Sequence, residues 1–269
     1  GLLRAGRQVK DLVVAERVAE RAGYLSEKYS VRMSSVPEAV ENADFIIVAV
    51  KPADAESVVE EIAEIATQAE SDTVEQVLIS VVAGVTTGFY ESRLPAGAPV
   101  IRVMPNAPAL VGAGVSALAK GRFATAEHLA QASTLFECVG AVLTVPESQL
   151  DAVTAVSGSG PAYFYLFVEA LVDAAVANGL HRAVATDLVA QTMAGSAAML
   201  LERIDEERAG ATDSGLDTTP ARLRAMVTSP AGTTAAGLRE LERGGVRAAV
   251  TAAVDAAKTR SEQLGITSE

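Results

Sequence analysis

The sequence contains no tryptophan, one cysteine (Cys138) and two histidines (His128 and His181) in 269 residues. A single cysteine excludes an internal disulfide and a zinc site built from thiolates, and the two histidines lie too far apart for a zinc signature. Basic residues are also in the minority, since 22 Lys and Arg face 34 Asp and Glu, for a net charge of −12. Nucleic acids and anionic membranes bind basic surfaces, so we expect neither as a partner, and no metal.

Cysteine usage and hydrophobicity also bear on location. A single cysteine is typical of the reducing cytosol, and the sequence has no pattern of a signal peptide. No apolar run approaches the roughly 20 residues that a membrane-spanning helix needs. We therefore expect a cytoplasmic protein.

Apolar residues make up 49% of the chain, yet aromatic residues only 4%. Abundant Ala and Val favour close-packed helices and buried strands over a β-sandwich. Up to Val145, short apolar strands alternate with amphipathic helices, which predicts βαβ units and a parallel sheet. Beyond Pro146 we predict helices only, with a loop at Asp205–Asp217. The predicted fold is therefore α/β, with a Rossmann-like domain over residues 1–146 and an all-α domain over residues 147–269.

Three strands of the predicted sheet end in turns that suit a nucleotide. Ala49-Val50-Lys51-Pro52 follows the most apolar strand, Ala83-Gly84 follows the next, and Asn106 lies in the rigid turn after the third. An open parallel sheet binds its ligand at the carboxyl ends of its strands. Each turn alone is ordinary, but together they predict a nucleotide cleft.

The glycine-rich turn of a dinucleotide fold is missing from its expected place. Gly1–Gly6 has the pattern of the last turn of a helix, so we expect the first strand and the glycine turn to lie upstream. At the end of the next strand, Glu16 would favour the ribose hydroxyl of NAD, whereas Arg17 would favour the 2′-phosphate of NADP. The residues alone leave both cofactors open.

The segment Thr228–Thr234 combines small hydroxyl residues, Pro230 and Gly232 directly before an apolar-periodic helix. Unpaired N–H groups at a helix start bind anions, and this loop has room for a small one such as a carboxylate. An ordinary N-cap that binds nothing is the simpler alternative. A second segment of similar composition, Asp151–Tyr163, also precedes a helix, and two such loops suggest a shared site.

These segments, together with Arg102–Pro108 and Leu241–Gly245, resemble the pyrroline-5-carboxylate reductase family over nearly the whole chain. The resemblance implies hydride transfer from NADPH, with NADH as an alternative, to the C=N bond of 1-pyrroline-5-carboxylate, giving L-proline. It implies a helical domain that forms a homodimer and assembles into a homodecamer. Thr234 would be the catalytic residue, its hydroxyl bonding the imine nitrogen. The remaining residues implied are, for the substrate, Glu147, Ser229, Gly232 and Thr233 and, for the cofactor, Arg17, Ser35, Ala49, Val50, Lys51, Pro52, Ala83, Gly84 and Asn106.

Two departures and two alternatives accompany the resemblance. Ala231 stands where the family has a second glycine. The glycine turn, which binds the pyrophosphate of the cofactor in dinucleotide folds, is missing from the sequence. A related imine or hydroxyacid reductase is one alternative, but its characteristic helix lysine is absent from Pro161–Asn178. The other alternative is a non-catalytic oligomeric scaffold.

Overall fold

The computed structural model describes residues 1–41, 43–68, 76–209 and 219–265. The chain folds into two compact units. The first comprises Gly1–Pro161 together with Val254–Glu269, and the second comprises Ala162–Ala253. A boundary between domains at residues 146 and 147 stays a prediction.

Among its described residues, the first unit contains seven strands in two sheets. The strands are β1 (Val13–Val14), β2 (Arg32–Met33), β3 (Phe45–Val48), β4 (Val77–Ser80), β5 (Val100–Met104), β6 (Gly114–Lys120) and β7 (Gly140–Thr144). Strands β1 and β2 pair in parallel, and the remaining strands form a sheet of order β3-β4-β5-β6-β7. All pairs in that sheet are parallel except β5 with β6. The Rossmann-like fold predicted from the sequence is confirmed, but the sheet predicted as parallel contains one antiparallel pair.

The antiparallel pair has a simple physical cause. Only a short 3₁₀ turn, Ala107–Val111, separates β5 from β6. A parallel crossover needs a dozen or more residues, so the chain can only reverse direction here. The helix between β6 and β7 restores a parallel pair.

The helices of this unit are short and cover both faces of the larger sheet. They are α1 (Ala19–Tyr29), α2 (Val36–Val40), α3 (Ala55–Gln68), α4 (Thr87–Glu91), α5 (Ala126–Phe136) and α6 (Leu150–Val153). On β4, Leu78 packs with Val59 of α3 on one face, while Val77 and Ile79 pack with Ala132 of α5 on the other. Adjacent strand residues point to opposite faces, so a strand covered on both sides must be apolar throughout.

The first residues form a helical turn that ends at Gly6, as the sequence predicts. The N–H of Arg7 donates to the carbonyl of Leu2 and that of Gly6 to the carbonyl of Leu3, at 3.1 Å each. Gly6 has a φ of 89°. This bond pattern with a left-handed glycine is the Schellman helix end.

The remaining helices are α7 (Gly160–Ala177), α8 (Arg182–Ala209), α9 (Thr219–Met226), α10 (Thr233–Arg243) and α11 (Val246–Leu264). No strand occurs among the described residues after Thr144, so the prediction of an all-α second half is confirmed for them. The loop predicted at Asp205–Asp217 is wrong in its first part, because α8 continues to Ala209. Its last part lies outside the described residues.

The segment Asp151–Tyr163, predicted as a loop, is helical. It begins in α6, continues as a π-helical turn over Thr154–Gly158 and enters α7 at Gly160. The Ser and Gly residues favoured a loop prediction. They are compatible with a helix here because the wider π turn takes up one extra residue without breaking the hydrogen-bonded chain.

Two helical stretches meet the length and hydropathy criteria of a membrane span, contrary to the sequence-based expectation. These are Glu147–Ala177 and Arg182–Ala209, each with a mean hydropathy of 1.3, and 11% and 6% of their apolar windows are buried within the chain. Their exposed side chains include Phe164, Tyr165 and Leu166. A large exposed apolar surface marks a protein interface or a membrane contact.

Candidate cofactor and substrate sites

The carboxyl ends of β3, β4 and β5 lie at one edge of the sheet, because the three strands are parallel and adjacent. The predicted cofactor residues Ala49, Val50, Lys51 and Pro52 follow β3, Ala83 and Gly84 follow β4, and Asn106 follows β5. The ammonium of Lys51 is exposed and has no hydrogen bond or ion pair within the part of the chain that the structure describes. This edge thus offers a cation and open backbone to an anionic ligand.

The turn after β4 is held by several contacts. Gly84 has a φ of 77°, which favours glycine, and a Cβ atom there would lie 2.8 Å from the carbonyl oxygen of Leu264. Before the turn, the N–H of Val82 donates to Ser80 Oγ at 3.2 Å, and that hydroxyl donates to Tyr90 Oη at 2.8 Å. Burial raises the pKa of Tyr90 above its ordinary value. Gly84 is buried and the residue before the turn is hydrogen-bonded, so the turn has a defined backbone.

Asn106 is engaged by the protein itself. Its Oδ1 accepts a hydrogen bond from the N–H of Val115 at 2.9 Å, and its Nδ2 donates to the carbonyl of Ser157 at 3.4 Å. The side chain therefore ties the end of β5 both to β6 and to the π turn. These bonds leave its backbone and one Nδ2 hydrogen to face a ligand.

Arg17 follows β1, and its guanidinium donates to Asp54 in the turn after β3, at 2.6 Å. The side chain of Arg17 is 70% exposed. Glu16, by contrast, accepts from the N–H of Val18 at 2.9 Å and lies 3.7 Å from Arg21. Of these two adjacent residues, the carboxylate is satisfied locally while the guanidinium reaches the sheet edge. Ser35, predicted beside them, caps α2 by accepting from the N–H of Glu38 at 3.4 Å.

Glu147, predicted as a substrate ligand, is bound within the first unit. Its two carboxylate oxygens accept from the N–H of Thr87 at 2.7 Å and from the hydroxyl of Thr87 at 2.6 Å. Arg102 donates to the same carboxylate at 3.4 Å, and its side chain is only 7% exposed. Arg102 lies in a family segment of the sequence, but this cluster was not predicted, since nothing in the spacing of the three residues indicates that they meet.

In the second unit, the loop before α10 has the form predicted from the sequence. The carbonyl of Ser229 accepts from the N–H of Gly232 at 3.0 Å, which closes a turn, and Ala231 has a φ of 57°. Gly232 is the N-cap of α10 and has no side chain to cap it.

The three N–H groups that follow Gly232, those of Thr233, Thr234 and Ala235, donate to no acceptor among the described residues. A helix start normally satisfies some of these donors with a capping side chain. Left open at the positive end of the helix dipole, they form the type of backbone site that binds a carboxylate.

Metal chemistry has no candidate centre in the described ranges. No group of three or more His, Cys, Asp or Glu residues there could hold a metal ion. Cys138 is a packed residue whose thiol donates to the carbonyl of Leu135 at 2.8 Å.

Comparison with known proteins gives consistent matches. Residues 147–264 match the family model described as pyrroline-5-carboxylate reductase dimerisation, and residues 1–84 match that described as NADP oxidoreductase, coenzyme F420-dependent. The chain is 67% identical to the pyrroline-5-carboxylate reductase of Mycobacterium tuberculosis, covering 100% of this chain and 92% of that protein. The reductase of Mycobacterium leprae is 65% identical over the same fractions.

Solved structures agree. The pyrroline-5-carboxylate reductase of Coxiella burnetii superposes with a TM-score of 0.86 at 33% identity, over 99% of this chain and 93% of that one. The reductase of Plasmodium falciparum, solved with NADP bound, has a TM-score of 0.80 at 30% identity, over 98% and 92%. The sheet edge, the open start of α10 and these full-length matches together lead to one conclusion: the chain belongs to the pyrroline-5-carboxylate reductase family.

Proposed function

We propose that this protein reduces 1-pyrroline-5-carboxylate to L-proline with NADPH, the last step of proline biosynthesis. The observation that carries the proposal is the start of α10, where three consecutive N–H groups follow a glycine N-cap without partners among the described residues. The substrate is a small cyclic imine with one carboxylate. An open helix start between small residues suits a ligand of that charge and size.

The residues of the second unit would bind and orient the substrate. The N–H groups of Thr233 and Thr234 hold the carboxylate, and Gly232 leaves space for it. The hydroxyl of Thr234 hydrogen-bonds the imine nitrogen and keeps the C=N bond oriented. Since a hydroxyl is a weak acid, water can supply the proton that the nitrogen takes up. Ser229 fixes the loop through its carbonyl.

The residues of the first unit would bind NADPH, whose nicotinamide supplies the hydride. Ala49, Val50, Lys51, Pro52, Ala83, Gly84 and Asn106 line the sheet edge and exclude water from it. Arg17 and Ser35 would face the adenosine ribose. Arg17 pairs with Asp54 through one nitrogen, and its side chain is 70% exposed, so it keeps N–H donors for a 2′-phosphate. Glu16 is bonded to its neighbours, which supports NADPH over NADH.

The test is the loss of NADPH absorbance with 1-pyrroline-5-carboxylate, comparing Thr234→Ala, Thr234→Ser and the control Thr228→Ala. Thr228 lies in the same loop, but its hydroxyl donates only to the carbonyl of Arg224. We expect Thr234→Ala to lower kcat by about 100-fold, while Thr234→Ser and Thr228→Ala retain activity. A wild-type protein that binds NADPH but leaves the imine unreduced would refute the function.

We further propose that the protein is a cytoplasmic homodimer that assembles into a homodecamer. Two facts support the dimer: the matching family model describes a dimerisation region, and α7 exposes Phe164, Tyr165, Leu166 and Phe167 in the isolated chain. Light scattering of the detergent-free protein at micromolar concentration tests the oligomer. Partition of the protein into the membrane fraction would instead identify the apolar stretches as spans.

A further inference from the structure

The last turns of α11 belong to the first unit and contact it at two points. The Ser261 hydroxyl donates to Asp151 Oδ1 of α6 at 2.6 Å, and Ser261 is only 8% exposed. One turn later, the carbonyl of Leu264 and Gly265 Cα lie 2.8 Å and 3.2 Å from where a Cβ atom of Gly84 would be. The helix end is thus fixed between α6 and the turn after β4.

The contact at Gly84 is close enough to define the turn. Gly84 is buried and has a φ of 77°, so its backbone already adopts a conformation that other residues avoid. The carbonyl of Leu264 occupies the space on one side of this glycine. If the helix end moved away, the turn would lose this contact and gain conformational freedom. Ligand binding would then have to order the turn again, which lowers the affinity.

We infer that Ser261 is a positioning residue for cofactor binding: by bonding Asp151, it holds the end of α11 against Gly84 and so fixes the Ala83–Gly84 turn. Ser261 would touch neither cofactor nor substrate and would act through the backbone of Leu264. The inference rests on the proposed function only in naming the ligand. The ordering of the turn by α11 is a property of the protein without cofactor.

Two readouts on Ser261→Ala test the inference. The first is amide hydrogen exchange, without cofactor, of peptides that contain residues 81–86, for which we expect roughly tenfold faster exchange with the rest of the sheet unchanged. The second is fluorescence titration with NADPH, for which we expect the Kd to rise roughly five- to tenfold. The KM for 1-pyrroline-5-carboxylate should not change, since the substrate loop precedes α10 in the second unit.

Controls separate positioning from a general loss of stability. Ser261→Thr keeps the hydroxyl and should restore both values. Thr251→Ala removes a hydroxyl of the same helix that donates only to the carbonyl of Arg247, and should alter neither. If Ser261→Ala does not fold, Asp151→Leu, which has a similar size but no hydrogen-bond acceptor, should shift both values in the same direction.

Unchanged exchange at residues 81–86 in Ser261→Ala overturns the inference, as does faster exchange spread evenly over the whole sheet. If the wild-type protein does not bind NADPH, the proposed function fails, but the exchange comparison still decides whether α11 orders the turn.

Discussion

Replacing Glu147 distinguishes a structural role from a role in substrate binding. Its carboxylate accepts two short hydrogen bonds from Thr87 and a longer one from Arg102, all within the first unit. Glu147→Ala removes all three and leaves the guanidinium of Arg102, 7% exposed, without its counter-charge. We therefore expect loss of stability rather than loss of substrate affinity.

The magnitude follows from these contacts. A hydrogen bond to a charged group contributes about 1.5–3 kcal/mol, so two strong ones give at most about 6 kcal/mol. The Glu147 side chain is 27% exposed, and water can replace part of what is lost. We expect Glu147→Ala to lower the free energy of unfolding by about 3 kcal/mol, and Tm by roughly 6–12 °C. Glu147→Gln keeps an acceptor for Thr87 and should cost about half as much.

The assay is urea denaturation at fixed protomer concentration, because oligomer formation makes stability concentration-dependent. Thr87→Val is the matched control: it removes only the hydroxyl bond and should cost about 1 kcal/mol. The KM for 1-pyrroline-5-carboxylate is measured in parallel. A Glu147→Gln protein of wild-type stability with a raised KM would refute the structural role and support the substrate ligand that the family resemblance implies.

Three further predictions concern single residues. Arg17→Ala should raise the KM for NADPH by about 10- to 100-fold and leave the KM for NADH nearly unchanged. The control Arg21→Ala should change neither KM, and steady-state kinetics with both cofactors checks this. Ala231→Gly should raise the free energy of unfolding by about 1 kcal/mol in thermal or urea denaturation, because a residue with a Cβ is strained at the φ of 57° found there. Burial raises the pKa of Tyr90 in the folded protein, so the unfolded chain ionises first as the pH rises. The contribution of Tyr90 to the free energy of unfolding is therefore complete below about pH 10 and decreases above it. Tyr90→Phe should show a smaller alkaline loss of stability than the wild type.

The strands and most helices could be predicted from the sequence because burial leaves a local pattern. A strand covered on both faces must be apolar throughout, as Phe45–Val48 and Val77–Ser80 nearly are. Helix ends also have local signals, and Gly6 and Gly232 lie at such ends. In each case the residues that decide the structure are neighbours in the sequence.

The direction of β6 and the π turn at Thr154–Gly158 were not predictable in the same way. The connection between β5 and β6 is too short for a parallel crossover, so its length indicates an antiparallel pair. The alternation of strands and helices indicates a uniformly parallel sheet instead. For the π turn, Ser and Gly are compatible with a loop and with a helix alike. Gly158 lies close to Met104 of β5, a contact between distant residues that the local sequence does not indicate.

Contacts between distant residues are the remaining part that a single sequence does not contain. The Ser261 hydroxyl and Asp151 are 110 positions apart, and Glu147 and Thr87 are 60 apart. Neither pair has a spacing that indicates contact. The side chains of Asn106 and Glu147 are already bonded within the protein, whereas Thr233 and Thr234 have backbone donors without a partner among the described residues. For a small anionic substrate, the N–H groups at the start of α10 are therefore better candidate ligands than these two side chains, because their donors are not used by the described part of the protein.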